Sequence, residues 1–564
     1  MMIVVIRIPA VQKTIGKGVA SMVGEKLGTK VNVGKVNLGM LNRLVIDDVT
    51  IYDQNDTAMI KATRMAAKID IYELLTTGNV AVSSAQLFGF NGVFYKKDEA
   101  TQPNYQFVLD SLASKDDTPS RLNLCINSLV IRRGTLKYDR YDRPYTSYRF
   151  NKDHLGLTNI SAHIALPYYS NDSASINVKK LSFSERSGFV LSNLSLDASV
   201  GKQGAHVEQL NIKLPHTSIS ATDIKATYNM KNGKLHMPSL SYAGKININR
   251  LSLRDVSSFV PMFSDSELSL AADVNIAGND DILHVKHLNV HTPDNDMRLN
   301  VRAEVRRPFD NPAISANVND LYCDYNVVAS LPENMKKGMA DLLPIMEKAG
   351  FVEYKGSISA DGNHYEANGM LQSGPGDIDL NLTANKGLVT LKAATNAFDL
   401  SKITAQNNLG NIAANLDVTC QTVGNDIKTA DFNADISSFE YNGYRYNNIS
   451  AIGNYNNGSI DATLKVDDVN ANIIAKGNLI KTSEGLKTIA EMTINNLNPS
   501  ALRFTDSQKG RTFKMNISAD GMVSNKNPNL FNGILSLKDV VMTNEDRSYI
   551  LENINISSSN ESIA

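Results

Sequence analysis

Along most of the chain, apolar and polar residues alternate with a period of two. A period of two gives a strand one apolar and one polar face. Strict alternation with short turns favours an antiparallel meander over a parallel α/β sheet. The chain is therefore predicted to be mainly β, and five segments show the pattern most clearly: 268–276, 297–305, 378–384, 460–466 and 513–519.

Helical patterns interrupt the alternation at only a few places. Short helices are predicted over Asp255–Phe263, Ser401–Asn407 and Pro499–Thr505, and a longer one over Pro332–Lys348. Proline lacks a backbone donor and clashes with the preceding turn, so Pro344 predicts a kink in the longest of them.

The first residues have a different character. Met1–Ile6 is an apolar run ending at Arg7. A transmembrane helix needs about 20 apolar residues, so this run is too short to span a bilayer. Residues 1–9 are interpreted as the remnant of an N-terminal membrane anchor, and the alternative is an ordinary buried first strand.

Residues 10–28 are predicted to form an amphipathic helix, because apolar residues recur there at spacings of three and four. Between Arg7 and Arg43 there are seven basic residues and one acidic residue, Glu25. A basic amphipathic helix beside an apolar stub favours a membrane interface; docking on the end of a sheet is the alternative. The residues assigned to the interface are Val11, Ile15, Val19 and Val23, with Lys13 and Lys17.

Charge and motifs narrow the function classes. The chain of 564 residues has 57 Lys and Arg against 58 Asp and Glu, a net charge of -1. A general nucleic-acid binder needs a basic surface, so no nucleic-acid partner is predicted. The sequence contains no HExxH, GxSxG or P-loop motif, and no GxGxxG after a strand. No enzyme activity, catalytic residue, metal site or cofactor is therefore predicted.

Cysteine and histidine residues give little chemistry. The three cysteines form no CxxC pair, and Cys125 is interpreted as a small buried hydrophobe. On a regular strand His287 and His291 would share a face and His284 would point away. Surface histidines are preferred over a metal site.

Four stretches of the N-terminal region together resemble a known family. They are RIPAVQ at 7–12, LGTKVNVGKVNL at 27–38, LVIDDVTIYD at 44–53 and IDIYELL at 69–75. Their order resembles the N-terminal region of the AsmA-like superfamily, especially its TamB-type proteins of Bacteroidota-type Gram-negative bacteria. The specific signal lies in the first 90 residues, and the later strands match in style.

Two features depart from the family. The anchor is incomplete, and the sequence stops at Ala564 just after strand-like residues, without a C-terminal TamB domain. The resemblance therefore implies an N-terminal portion of a longer protein. It suggests four regions: the anchor remnant 1–9, the helix 10–28, an N-terminal AsmA-like β-region 29–150 and a continuing repetitive β-groove 151–564.

The resemblance implies a fold and a role. Family members form a long antiparallel β-meander curved into a U-shaped, taco-like groove with an apolar interior. They are anchored in the inner membrane, cross the periplasm, and are thought to carry phospholipid between the two membranes. TamB itself works with a BamA-like outer-membrane protein. The expected partners are therefore phospholipids, the inner membrane and a BamA-like protein.

Physical reasoning from the strands leads toward the same role. A sheet with one apolar face must cover it, either with a second sheet or with acyl chains. The alternatives are a scaffold for outer-membrane protein assembly and a surface adhesin of stacked β-sandwiches. The residues predicted to line a lipid groove are Leu268, Leu270, Val274, Ile276, Leu299, Val301, Val305, Ile378, Leu380, Leu382, Leu464, Val466, Met515 and Ile517.

Overall fold

The structure is a computed structural model in which 69% of the residues lie in strands and 9% in helices. The predicted mainly-β class with a few short helices is thus confirmed. The structure describes residues 14, 17–18, 20–21, 23–25, 27–39, 43–69, 80–112, 122–123, 127–169, 173–231, 234–424, 426–505, 510–525, 531–545 and 547–558.

The chain divides into two compact units. Unit 1 comprises residues 1–295 and 330–335, and unit 2 comprises residues 296–329 and 336–564. The division lies between two strands, whereas the sequence suggested a regional boundary at residue 150, which stays a prediction.

Unit 1 contains fifteen strands among its described residues. They are β1 (Val31–Asn32), β2 (Lys35–Gly39), β3 (Arg43–Tyr52), β4 (Ala58–Ile69), β5 (Val80–Lys96), β6 (Leu122–Asn123), β7 (Ser128–Arg140), β8 (His154–Tyr169), β9 (Ala174–Glu185), β10 (Val190–Gly201), β11 (Gly204–Lys213), β12 (Ser218–Lys231), β13 (Lys234–Ser252), β14 (Ser269–Asn279) and β15 (Ile282–His291).

The strands of unit 1 pair mostly with their neighbours in the chain, and nearly all of these pairs are antiparallel. The exception is β5, which pairs in parallel with β7 and with the two-residue β6. Parallel neighbours need a crossover of a dozen or more residues. The segment 97–127 supplies it and contains the helix α1 (Gln106–Leu112). Among the described residues the predicted antiparallel meander therefore contains a parallel arrangement at β5.

Unit 2 likewise contains fifteen strands. They are β16 (Met297–Arg306), β17 (Ala313–Asp324), β18 (Phe351–Asp361), β19 (His364–Ser373), β20 (Asp377–Asn385), β21 (Leu388–Asp399), β22 (Leu409–Val423), β23 (Asp426–Tyr441), β24 (Tyr444–Asn456), β25 (Ser459–Asp468), β26 (Ala471–Lys481), β27 (Gly485–Leu497), β28 (Arg511–Ser524), β29 (Phe531–Asn544) and β30 (Arg547–Ser558).

Each strand of unit 2 pairs antiparallel with the next one along the chain, from β16 to β30. Among the described residues the sheet of this unit is an open meander. Short turns such as Asn456–Asn457–Gly458 suit this arrangement, because Asn and Gly accept the positive φ that tight turns require.

The helices are shorter than the sequence suggested. Further described α-helices are α2 (Tyr325–Ala329), α3 (Glu333–Lys336), α4 (Leu343–Ala349) and α5 (Leu400–Thr404). The predicted helix Pro332–Lys348 is thus broken into pieces, and Pro344 lies in the first turn of α4 instead of kinking a longer helix. Proline fits the first helical turn, where its missing donor costs nothing.

Two further helix predictions need correction. Residues 255–263 contain parts of two separate 3₁₀ turns, Leu253–Val256 and Pro261–Phe263. Residues 499–505 form turns without a helix. In residues 499–505 the span of the backbone hydrogen bonds changes from one residue to the next: Leu502 donates to Asn498, Arg503 to Ser500 and Phe504 to Pro499. A regular helix repeats a single span.

A backbone kink interrupts the alternation in β3. Ile46 and Val49 are both buried although they are three residues apart, and Asp48 between them has a φ of 58°. Aspartate tolerates this left-handed conformation. The kink brings both apolar side chains into one cluster with Val36.

Of the predicted N-terminal helix, the described residues between Thr14 and Leu27 are helical. Val23 is half-buried and Lys17 is exposed, whereas Val11, Lys13, Ile15 and Val19 lie outside the described residues, as does the predicted anchor remnant. In the part of the chain that the structure describes, no helix combines the length and apolar character needed to cross a bilayer.

Candidate functional site

An uninterrupted row of apolar residues crosses all fifteen strands of unit 2. Residues directly opposite each other in an antiparallel pair share one face, so the strand register defines the row. Every member is aliphatic, Met or Gly. From β16 to β30 the row is Val301, Val318, Gly356, Gly369, Leu380, Ala393, Leu416, Ala434, Ala451, Leu464, Ala475, Met492, Ile517, Leu537 and Ile554.

A second row runs beside the first on the same face. It is also free of charged residues, and Phe432 is its one aromatic member. From β16 to β30 it consists of Ala303, Ala316, Ile358, Ala367, Leu382, Leu391, Val418, Phe432, Gly453, Ala462, Gly477, Ala490, Ala519, Leu535 and Ile556.

The opposite face of the same strands is polar. The row between the two apolar ones contains fourteen polar or charged residues and one isoleucine, Ile452. From β16 to β30 it is Arg302, Asn317, Ser357, Asn368, Asn381, Lys392, Asp417, Asn433, Ile452, Thr463, Lys476, Glu491, Ser518, Ser536 and Asn555.

Ten of the residues predicted to line a groove lie on the apolar face of unit 2. These are Leu299, Val301, Val305, Ile378, Leu380, Leu382, Leu464, Val466, Met515 and Ile517. The structure brings them onto one continuous surface. Whether a lipid contacts them stays a prediction.

The apolar face of unit 2 is only partly covered. Most members of the first row are half-buried; Leu464 is 40% exposed and Ile554 is 37% exposed. Val466 is the most buried of the predicted residues, at 8% exposure, because it packs beneath Leu502 in a local core. A partly exposed apolar surface of this extent is characteristic of a binding surface.

Unit 1 has a comparable apolar row that crosses its strands from β2 to β15 without β6. Leu270, Val274 and Ile276 lie on its face, whereas Leu268 precedes β14. The row is Val36, Ile46, Met65, Leu87, Ile131, Ala162, Leu181, Leu194, Ile212, Ile219, Ile248, Ala272 and Val290.

Both apolar faces suit hydrocarbon chains. Removing apolar surface from water contributes about 0.8 kcal/mol per methylene. Neutral aliphatic side chains offer an acyl chain contact without a specific orienting bond. Faces of this composition are chemically suited to contact with hydrocarbon.

The polar face of unit 2 carries two depressions, of about 740 and 640 Å³. Asn, Asp, Thr and Lys side chains dominate their lining. Several of these groups already bond to each other: the amide of Asn478 donates to Asp461 at 2.7 Å. A second pair joins Lys392 and Asp417 across 3.4 Å, so part of the polar lining is already paired within the sheet.

Sequence reasoning missed the buried polar clusters, among them a similar pair with one cluster in each unit. In unit 1 the carboxylate of Asp53 is 2% exposed, and it accepts hydrogen bonds from the amides of Asn55 and Thr57, both at 2.9 Å. The Tyr95 hydroxyl donates to the same carboxylate at 2.8 Å. Burial acts to raise the pKa of Asp53, but these donors outweigh it and lower that pKa.

The cluster in unit 2 has the same parts. Asp468 is 5% exposed and accepts from the Tyr444 hydroxyl at 2.5 Å and the Asn470 amide at 2.9 Å. Asn447 adds its amide and its side chain. The pKa of Asp468 is lowered although burial opposes this, and burial together with Tyr444 raises the pKa of Tyr446 to about 12.

A short sequence signal accompanies both clusters. Each contains Asp-x-Asn at a strand end, and the Asn side chain donates to the tyrosine hydroxyl. The motif predicts a turn. The distant tyrosine that completes the cluster leaves no local signal.

The histidines of β15 are arranged differently from the prediction. The register shifts at Lys286, so His287 lies opposite Asn275 and His284 lies opposite Ala277. His284 therefore shares a face with His287 instead of pointing away. Within the described residues no group of three or more His, Cys, Asp or Glu side chains is placed to hold a metal ion.

Two of the cysteines are described. Cys323 and Cys420 are partly buried free thiols, and burial raises the pKa of Cys323. Cys125 lies outside the described residues.

Each unit is a β-meander crossed by an apolar row, and in unit 2 the opposite face of the strands is polar. No family model, curated protein or solved structure matches the chain.

Proposed function

We propose that this chain is a non-enzymatic envelope protein that shields phospholipid acyl chains and conducts them along its apolar face. The observation that carries the proposal is the apolar row of unit 2, which crosses fifteen successive strands without a charged residue. Since a lipid leaving a bilayer loses burial of its chains, it needs a continuous apolar surface of this kind.

The composition of the row also favours movement over retention. Its side chains are aliphatic or absent, and they offer no hydrogen bond or charge that would hold one lipid in one position. Similar small contributions at each strand give similar binding along the row. A chain that slides meets a smooth energy profile.

The strand order favours this function over an adhesin of stacked sandwiches. A sandwich divides its strands between two packed sheets around a two-sided core. In unit 2, each strand pairs with the next along the chain, and the apolar residues remain half-exposed.

The proposed setting is the periplasm of a Gram-negative bacterium, with an inner-membrane anchor at the N-terminus and a BamA-like outer-membrane partner. This part rests on the resemblance of the first 90 residues. Deleting residues 1–28 is expected to release the protein from membranes in a fractionation experiment. A truncated protein that stays membrane-bound would show that the anchor is elsewhere.

The first experiment is native mass spectrometry with lipid extraction on the purified chain. We expect several phospholipids per chain. The matched variants are Leu380→Asp and Asn381→Asp, which place the same charge on adjacent residues of opposite faces of β20. Leu380→Asp is expected to reduce bound lipid severalfold, because an unpaired charge on an apolar surface is costly, and Asn381→Asp is expected to change it little.

A transport measurement completes the test. Donor vesicles carrying a fluorescent phospholipid and unlabelled acceptor vesicles would report transfer by the full chain. Leu380→Asp is expected to slow transfer while circular dichroism shows the same strand content. A lipid-free wild-type chain, or normal transfer by Leu380→Asp, would rule out the proposed function.

A further inference from the structure

One part of unit 1 carries an open apolar pocket beside a helix. The helix α1 and the preceding Tyr105 form one wall of this pocket, which has a volume of about 520 Å³. This volume is typical of small-ligand pockets. The described lining residues are Met59, Ile60, Phe94, Tyr105, Val108, Leu109, Leu136, Tyr138, Lys152 and Leu155.

The lining has an asymmetric chemistry. Seven of the ten residues are aliphatic or phenylalanine, two are tyrosines, and Lys152 alone is charged. Ile60 and Leu136 lie well within their strands. Lys152 precedes β8 at the ends of β5 and β7, near Tyr138 and Leu155. The pocket therefore has an apolar body and a single lysine at its rim.

Several contacts hold α1 and the residues before it beside the pocket. The rings of Phe94 and Tyr105 meet edge to face with their centroids 5.5 Å apart. Asn104, just before Tyr105, donates to the backbone of Val93 at 3.1 Å and to the buried Asp53 at 3.4 Å. The helix α1 is thus attached to the sheet through its N-terminal side.

The tyrosines add hydrogen-bond donors to the apolar walls. Burial, reinforced by the neighbouring Tyr105, raises the pKa of Tyr138. Its phenol therefore stays protonated at neutral pH and keeps a proton to donate to an anionic oxygen.

We propose that this cavity binds one single-chain amphiphile with an anionic head group, its acyl chain against Ile60, Phe94 and Leu136 and its head at Lys152. This ligand is retained at one site, in contrast to lipid that moves along the open face. The charge of Lys152 selects an anion, and the volume selects one chain.

The test uses the purified full chain after lipid removal, titrated by calorimetry with hexadecanoate, hexadecanol and inorganic phosphate. We expect one hexadecanoate per chain at this site. Hexadecanol should bind more weakly by about fivefold, the effect of one partly exposed ion pair. Phosphate alone should not bind measurably.

Two variants probe the cavity separately. Lys152 is exposed, and Lys152→Gln is expected to weaken the binding of hexadecanoate about fivefold while leaving the binding of hexadecanol unchanged. The control is Lys179→Gln, which replaces another exposed lysine of unit 1. Val108→Trp fills the cavity and is expected to abolish the site, with Leu235→Trp on an exposed position as its control.

Three results would overturn the proposal: unchanged binding in Val108→Trp, equal effects of Lys152→Gln on the acid and the alcohol, or phosphate binding without a chain. If one of these occurs while phospholipids still co-purify and respond to Leu380→Asp, the conduit function stands and the retained site does not. If no phospholipid co-purifies but one hexadecanoate binds per chain, the retained site stands and the conduit function does not.

Discussion

The buried aspartate clusters of the two units are built alike and used differently. In both, a tyrosine hydroxyl and the amide two residues after the aspartate donate to the carboxylate. In unit 2 the tyrosine comes from the adjoining strand β24, so the cluster closes a hairpin. In unit 1 the tyrosine comes from β5, two strands away, and Asn104 joins it.

The difference teaches what a polar cluster can do in a sheet protein. A buried carboxylate is tolerated only when its acceptor positions are filled. Where the tyrosine lies on the adjoining strand, the cluster joins the ends of two paired strands. Where the tyrosine lies two strands away, the cluster also holds a longer segment in place, here the loop that leads into α1.

The largest expected effect concerns the apolar core of unit 2 against which Tyr444 packs. Leu502 is fully buried beside Ala471 and Val466. Leu502→Ala is expected to destabilise this region by about 3 kcal/mol, because it leaves a cavity. Hydrogen exchange should rise in β25 and β26 and stay unchanged in β3 and β4. Equal loss of protection in both units would show that they unfold together.

Replacing the two aspartates distinguishes the role of the unit 2 cluster from that of the unit 1 cluster, which also holds the loop before α1. Asp53→Ala and Asp468→Ala each leave buried donors unsatisfied, with an expected cost of about 2 to 3 kcal/mol. Asp53→Ala should also increase exchange in α1, since Asn104 loses a partner, and Asp468→Ala should not. If α1 is unaffected by Asp53→Ala, the fastening role is wrong.

Removing the hydroxyls gives a smaller, matched pair. Tyr95→Phe and Tyr444→Phe each delete one hydrogen bond to a carboxylate, with an expected cost of about 1 to 2 kcal/mol. Denaturant unfolding followed by exchange in the affected unit measures both. A much larger cost for either variant would indicate that its ring also supports the surrounding packing.

The smallest effect is a dependence on acid. The pKa values of Asp53 and Asp468 are lowered in the folded chain. The stability that they contribute is therefore complete above the unfolded pKa of about 3.9 and is lost as the pH falls through the lower folded values. Exchange near both clusters should rise only below about pH 4. Asp→Asn variants, already uncharged, should lack this transition.

The alternation of apolar and polar residues within single segments predicted many of the strands and which of their faces is apolar. In β20 and β25 the period of two identified the strand and its apolar face, and Leu380 and Leu464 lie where the pattern placed them. Register and pairing depend on distant segments. The parallel β5–β7 pair and the shift at Lys286 therefore left no local signal.

The candidate site divides in the same way. Ten residues of the apolar face of unit 2 could be named from the sequence, because they are the apolar positions of clearly alternating strands. The pocket beside α1 could not be predicted from the sequence. Phe94, Tyr105 and Lys152 come together only through the crossover and the following loop.

The one-residue-per-strand row of unit 2 has a consequence for distance. Neighbouring strands lie about 4.8 Å apart, so a row with fifteen members has a contour of roughly 67 Å, measured from strand to strand. An acyl chain would advance along it in equal steps set by the backbone spacing. The distance between successive contacts is then independent of which apolar residue occupies each position. Substitutions along the row can change how strongly each strand holds the chain, but not the spacing between strands.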